Sequence, residues 1–114
     1  MFKMADAELR GRRALIVEGE AAIARQMVDD VRRSGGQAVD VLLNVDDALS
    51  FVQKNPPPDC LIVDVRQADA WGRPLASVFA DYGVAVIFVT GFDDWYLDDE
   101  MDEPFYAVTS FAHG

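Results

Sequence analysis

The sequence predicts an α/β fold in which helices cover both faces of a parallel sheet. Three short apolar runs, at residues 13–17, 59–65 and 84–89, have the length and composition of buried strands. Amphipathic segments separate these runs, and strands that alternate with helices are typical of a parallel sheet. The 114 residues suffice for one domain, and a hydrophobic content of 51% argues against disorder.

A polar leader of mixed charge, residues 1–12, precedes the first strand, so the domain is expected to span residues 13–114. The leader has no apolar core of the kind that signal peptides carry, and we therefore expect no export. A helix is expected at residues 20–33, because its apolar residues recur at three- and four-residue steps. The Ser34-Gly35-Gly36 sequence then ends this helix.

The middle of the chain continues the alternation. A second, weaker strand is expected at residues 39–43, and Asn44 is a candidate N-cap for the helix that follows. The prolines at 56–58 stop that helix, because proline lacks an N–H donor and clashes with a continuing helix. A buried third strand follows.

The third strand, residues 59–65, is continuously apolar, which predicts that both of its faces are covered. A loop is expected at residues 67–72, followed by a helix that begins near Pro74 and ends at Gly83. The fourth strand occupies residues 84–89.

The C-terminal part of the chain is rich in acids. Residues 93–103 contain seven acids interleaved with aromatic and apolar side chains, and they are expected to form a short helix. Residues 105–108 are expected to form a fifth strand. The segment 93–106 is either a docking surface for a basic protein partner or a solvated face whose aromatic side chains reach the core.

The net charge and the cysteine content of the chain indicate which partners and which location to expect. The formal net charge of −10 would repel nucleic acid and anionic membranes, so neither is expected as a partner, whereas a basic protein is easier to accommodate. The single cysteine, Cys60, lies in an apolar strand and is expected to be a buried, inert thiol, which suits a reducing, cytoplasmic location. No apolar stretch approaches the roughly 20 residues of a membrane-spanning helix.

Several chemistries are excluded by the residue types present. Glu18-Gly19-Glu20 follows the first strand in place of a glycine-rich phosphate loop, and its two acids would repel a pyrophosphate. The only histidine, His113, lies at the end of the chain, so a serine or cysteine triad has no base. Cys60 and His113 alone cannot build a zinc site.

Polar side chains lie at the ends of three predicted strands. Glu18 and Glu20 follow the first strand, Asp64 lies at the end of the third, and Thr90 follows the fourth. The carboxyl ends of parallel strands meet at one edge of a sheet, where ligands bind in such folds. Carboxylate oxygens suit Mg²⁺, and a carboxylate beside that ion can act as a nucleophile toward a phosphoryl donor. The alternative is that these acids only form strand-end turns or helix termini.

Three segments carry a resemblance to a known family: Leu15-Ile16-Val17-Glu18-Gly19-Glu20, Leu61-Ile62-Val63-Asp64-Val65 and Phe88-Val89-Thr90-Gly91-Phe92. In order and spacing they resemble the receiver domain of two-component response regulators, over about residues 13–111. The third segment is similar to a subgroup with an aromatic-x-Thr-Gly-aromatic motif. The resemblance implies a flavodoxin-like, three-layer sandwich with a five-stranded parallel sheet.

The resemblance also implies roles for single residues. Asp64 matches the acid that accepts a phosphoryl group from a histidine kinase or phosphotransfer protein, and Thr90 matches the switch hydroxyl that bonds the phosphoryl oxygen. Glu18, Glu20 and Asp64 are the candidate magnesium ligands. The domain would be a phosphoacceptor in signal transduction rather than an enzyme.

The chain departs from the family pattern at several positions. Gly19 stands where the family places a second acid, and Glu20 lies one position further along, so magnesium binding is expected to be weak. The lysine expected after the fifth strand is missing, and either Thr109 or Glu103 aligns with it.

The chain also ends before the family's last helix, which would leave an apolar face of the sheet open. We therefore expect a homodimer that covers the face, with the acidic segment 93–106 as the rival cover.

Three functional interpretations remain. The first is a phospho-receiver that works through Asp64 with impaired metal binding. The second is a pseudo-receiver, a protein-binding module that keeps the fold without the phosphorylation switch. The third is an unrelated α/β domain that binds a small ligand, because a fold alone does not assign activity.

Overall fold

The computed structural model describes residues 9–90 and 105–108, of which Thr90 and residues 105–108 are described by their backbone only. These residues form five strands and four helices: β1 (Arg13–Val17), α1 (Ala21–Arg33), β2 (Gln37–Leu42), α2 (Val45–Lys54), β3 (Cys60–Asp64), α3 (Val65–Trp71), α4 (Leu75–Ala80), β4 (Ala85–Thr90) and β5 (Phe105–Val108). The predicted alternation of strands and helices is confirmed. No helix in this part of the chain has the length and hydropathy of a bilayer span.

The strands form one sheet in the order β2-β1-β3-β4-β5. β1 to β4 are parallel, so the flavodoxin-like α/β architecture is as expected. β5 differs from the expectation, because it pairs antiparallel to β4. The direction of β5 is set by its pairing with β4, in which Ile87 faces Val108 and Thr90 faces Phe105.

The core has one layer on each face of the sheet, because successive strand residues point to opposite faces. On one face, Ile16, Ile62 and Ile87 pack with residues of α1, among them Met27 and Val31. On the other face, strand residues pack with α2 and α4; they include Leu15, Leu61 and Val86, with Val52 and Phe79 from the helices. Every residue of β3 is buried, as its continuous apolar run predicts.

Two helix termini follow the sequence signals. Asn44 caps α2, because its Oδ1 accepts a hydrogen bond of 2.8 Å from the backbone N–H of Asp47. α1 ends at Arg33, where Arg32 and Arg33 lie in the last turn.

The region after β3 differs from the prediction. We expected a loop at residues 67–72, but α3 occupies most of this segment. The Asp64 carboxylate caps its first turn, and Gly72 ends it with a left-handed φ of 72°. The third strand therefore stops at Asp64, and Asp64 is at once a strand end and a helix cap.

Residues 9–12, which the sequence analysis placed in the leader, join the fold. Leu9 is fully buried in the layer beneath α1. The backbone N–H of Gly11 donates to the carbonyl of Gly35 at 3.0 Å.

Strand residues on the apolar face that was expected to lie open are buried. Ile62, Ile87 and Val89 lie on this face and are fully buried. The homodimer stays a prediction, and a monomer at all micromolar concentrations in sedimentation would exclude it. The rival cover, 93–106, lies outside the described residues apart from the backbone of 105 and 106.

Cys60 is buried, as predicted. Burial raises the pKa of its thiol to about 12, so the thiol is protonated at neutral pH. A protonated, buried thiol is a poor nucleophile, which agrees with the expected inert role.

Candidate functional site

The candidate site lies where β1 and β3 end side by side. Val17 pairs with Val63 in the sheet, so Glu18, which follows β1, and Asp64, the last residue of β3, lie at neighbouring strand ends. Their exposures are only 8% and 5%. Both line one cavity of about 240 Å³, together with Arg66, Gln67 and Ala70. The structure thus brings together two of the three candidate metal ligands.

Glu18 is held by the turn that follows β1. Its Oε1 accepts a hydrogen bond of 3.1 Å from the backbone N–H of Glu20. Burial, and to a smaller degree the negative charge of Asp64, raises the pKa of the Glu18 carboxyl above its ordinary value, while backbone hydrogen bonds partly oppose the shift. Two buried carboxyl groups at the same edge of the sheet thus favour a proton or a cation between them.

Glu20, the third candidate ligand, has a different position. It is exposed, it occupies the N-cap position of α1, and its side chain makes no cap hydrogen bond there. Its side chain is not among those that line the cavity with Glu18 and Asp64. Glu20 contacts the site through its backbone N–H, which donates a hydrogen bond to the carboxylate of Glu18.

Asp64 makes two contacts through a single oxygen. Its Oδ1 accepts a hydrogen bond of 2.8 Å from the backbone N–H of Arg66. The Nε atom of the Arg66 guanidinium lies 3.5 Å from the same oxygen. Both contacts use Oδ1, and neither of them uses Oδ2.

Thr90 is described through its backbone. It is the last residue of β4, and its neighbour Val89 pairs with Asp64. Thr90 therefore lies one position beyond Asp64 on the adjacent strand. Its hydroxyl lies outside the described atoms, as do both candidates for the missing lysine position, Glu103 and Thr109.

Two cavity residues were missed by sequence reasoning, Arg66 and Gln67. Gln67 Oε1 is buried and has no hydrogen-bond partner in the described part of the chain. The sequence signal that could have placed both residues is the N-cap at Asp64. An aspartate before a seven-residue segment that ends at a glycine is typical of a short helix. A helix there places Arg66 and Gln67 next to Asp64, whereas a loop does not specify their positions.

The residues present fit a weakly held magnesium ion. Among the described residues, no three histidine, cysteine or acidic side chains are close enough together to hold a metal. Magnesium in phosphoryl-transfer sites keeps several waters and takes one or two carboxylates together with phosphate oxygens. Glu18 and Asp64 are the two carboxylates that would hold the ion, and each uses only one oxygen in the hydrogen bonds described above.

Glu18→Gln is expected to raise the thermal stability at pH 7. The pKa of Glu18 is raised in the folded protein. The contribution of this side chain to the free energy of folding is therefore fully favourable below the ordinary pKa of 4.5. It is lost as the pH rises through the raised pKa. Glutamine has no charge to bury and still accepts from Glu20. We expect a Tm roughly 2–5 °C higher at pH 7 and little difference at pH 4, measured by calorimetry.

Glu20→Gln is the matched control, because it removes the same charge from an exposed neighbour. An equal gain in both variants would assign the effect to net charge and contradict the role of Glu18 burial.

Comparisons with known proteins agree with this architecture. No protein-family model matches the chain, and no curated protein matches it by sequence. Among solved structures, the response regulator PhyR from Brucella abortus is 27% identical, with a TM-score of 0.58 over 87% of this chain and 42% of that one. PhyR in complex with the anti-sigma factor NepR, from Bartonella quintana, is 22% identical, with a TM-score of 0.62 over 92% and 43%.

A third solved structure covers the corresponding domain by itself. The receiver (REC) domain of PhyR from Erythrobacter litoralis is 23% identical, with a TM-score of 0.53 over 83% of this chain and 74% of that one. The chain thus spans less than half the length of the two longer PhyR chains. These similarities show the fold of a response-regulator receiver domain.

Proposed function

From the receiver fold and the acidic cavity at its carboxyl edge, we propose that this chain is a signalling domain that accepts a phosphoryl group on Asp64. One observation carries the proposal. Asp64 is buried at the end of the central strand β3, in a cavity that also holds the Glu18 carboxylate and the Arg66 side chain.

The reaction is a transfer to a carboxylate. An oxygen of Asp64, Oδ2 by the hydrogen bonds above, attacks the phosphorus of a phosphohistidine or an acyl phosphate. The P–N or P–O bond of the donor breaks, and its electron pair stays with the imidazole or the carboxylate that leaves. The product is an aspartyl phosphate. The domain acts once per transfer as an acceptor and is not proposed to be an enzyme.

Magnesium, when bound, would offset negative charge on the phosphoryl oxygens. Glu18 and Asp64 are the residues that would hold it. Gly19 contributes no carboxylate at this edge, which supports weak binding and slow phosphorylation.

The partners proposed are proteins. The phosphoryl donor would be a histidine kinase or phosphotransfer protein, and the output would be a contact with a second protein. PhyR from Bartonella quintana forms a complex with an anti-sigma factor, which supports protein binding as the output of a related fold. The net charge of −10 favours a basic partner surface. A cytoplasmic location belongs to the proposal, since the only cysteine is a buried, reduced thiol.

A second function is a pseudo-receiver that binds its partner without phosphorylation. Two observations favour it: the site lacks a carboxylate at Gly19, and the Arg66 guanidinium already pairs with Asp64. In this alternative the paired Asp64 is a structural cap for α3 rather than an acceptor.

Phosphorylation by a small donor separates the two functions. The protein is incubated with acetyl phosphate and magnesium, and its intact mass is followed with time. A slow gain of one phosphoryl group supports the acceptor function. No gain at any magnesium concentration would contradict it and leave the pseudo-receiver.

Gly19→Asp is expected to tighten magnesium binding by roughly fivefold or more, because an added negative charge beside a bound cation contributes at least ~1 kcal/mol. The new side chain fits, since a Cβ at position 19 would lie 3.6 Å from the carbonyl oxygen of Leu43, an ordinary contact. Titration followed by tryptophan fluorescence or calorimetry measures the affinity.

Gly19→Asn is the matched control, with the same shape and no charge. Equal affinity in the Gly19→Asp and wild-type proteins would mean that Glu18 or Glu20 already supplies the missing oxygen.

A further inference from the structure

Arg66 brings a positive charge to the cavity that contains the proposed acceptor. We propose that Arg66 binds the phosphoryl group carried by Asp64 and so makes the phosphorylated state possible at a site with few metal ligands. This inference rests on the proposed function, because it names the group that holds the phosphoryl oxygens at the same site.

The geometry around Asp64 supports this assignment. The backbone N–H of Arg66 is fixed to Oδ1 of Asp64 at 2.8 Å, and the guanidinium Nε lies 3.5 Å from the same oxygen. The two residues are therefore held together at the first turn of α3. The arginine does not have to be recruited from elsewhere when Asp64 reacts.

The Arg66 side chain is much more exposed than the Asp64 side chain that it contacts. The Asp64 side chain is 7% exposed, whereas that of Arg66 is 63% exposed. The guanidinium thus borders both the buried carboxylate and the opening of the cavity. A phosphoryl group on Oδ2 would extend into the cavity of about 240 Å³, whose lining includes Arg66.

A positive side chain at this position would offset the charge of the phosphorylated product. An aspartyl phosphate carries about two negative charges at neutral pH, beside the buried Glu18 carboxyl. Buried charge is costly unless it is paired and hydrogen-bonded. Guanidinium is suited to this role, because its planar set of five N–H donors matches phosphate oxygens bidentately.

The transfer exchanges one bond to phosphorus for another. Oδ2 of Asp64 forms a bond to phosphorus, the P–O bond of acetyl phosphate breaks, and acetate leaves with the electron pair. Arg66 only donates hydrogen bonds, so it is a positioning residue for the transfer and a ligand of the product.

Arg66→Ala and Arg66→Lys test the inference. Alanine keeps the backbone N–H that caps α3, so the fold should be retained, and Tm is measured as a check. We expect Arg66→Ala to lower the rate of labelling by acetyl phosphate by roughly 10- to 100-fold, as the loss of a charge-assisted hydrogen bond implies. Arg66→Lys should recover part of the rate.

A second readout does not require covalent transfer. Beryllofluoride mimics a phosphoryl group on a carboxylate, and its binding is followed by fluorine NMR and by the rise in Tm. Arg66→Ala should weaken this binding by a similar factor. Arg32→Ala is the control, since Arg32 is exposed in the last turn of α1, at the opposite edge of the sheet.

The outcomes are distinct. If wild-type protein is labelled and Arg66→Ala is labelled equally fast or faster, the inference is wrong and the proposed function stands. If wild-type protein neither is labelled nor binds beryllofluoride, the proposed function fails and the inference falls with it. Loss in Arg66→Ala, partial recovery in Arg66→Lys and no change in Arg32→Ala would support it.

Discussion

Asp64→Asn is expected to abolish labelling of the protein by acetyl phosphate. The amide has no carboxylate oxygen to attack phosphorus, and Asp64 is the only acid that ends the central strand inside the described cavity. Asparagine is as good an N-cap as aspartate, so α3 should keep its first hydrogen bond and the variant should fold. Intact mass measurement after a long incubation gives the result.

Asp69→Asn is the matched control, because Asp69 is an exposed aspartate on the same helix. It should be labelled at the wild-type rate. An adduct that persists in Asp64→Asn would show that the acceptor has been assigned to the wrong residue.

Phe79→Ala is expected to destabilise the domain by about 3–5 kcal/mol. Phe79 is fully buried in the layer formed by α2, α4 and the sheet, where it packs with Leu61 and Val86. Its ring centroid lies 6.5 Å from that of Trp71, so the side chain also joins α4 to α3. A domain of this size is stable by only about 5–15 kcal/mol, so the loss is a large fraction of the total.

Urea unfolding measures this loss, with an unchanged m-value as the sign that the unfolding stays two-state. Leu43→Ala is the control, because Leu43 is also a large apolar residue but is 65% exposed. It should change the free energy of unfolding by no more than about 0.5 kcal/mol. A similar cost in both variants would contradict the placement of Phe79 in the core.

The acidic pair and the arginine describe a receiver-like site with an altered charge balance. The chain has no acid at Gly19, and Arg66 stands beside the proposed acceptor instead. The magnesium and Arg66 experiments are complementary for this reason. Gly19→Asp strengthens the metal contribution, and Arg66→Ala removes the contribution of the side chain.

Much of this fold could be predicted from the sequence alone. The strands β1, β3 and β4 each contain an uninterrupted apolar run, and α2 follows a residue that has the right cap chemistry, Asn44. These signals are local, because an apolar period or a capping side chain acts within a few residues. The meeting of Glu18 with Asp64 was also predictable, since it follows from the order of parallel strands in such sheets.

The tertiary structure decided what depends on distant neighbours. The antiparallel direction of β5 is set by its pairing with β4 rather than by its own four residues, which suit either direction. The pKa of Glu18 depends on burial and on the charge of a residue from another strand. The position of Arg66 beside Asp64 depends on α3. The sequence analysis extended the third strand to Val65, so it did not predict that a helix begins there. Local patterns thus determined the elements, whereas contacts between elements determined the charge balance of the site.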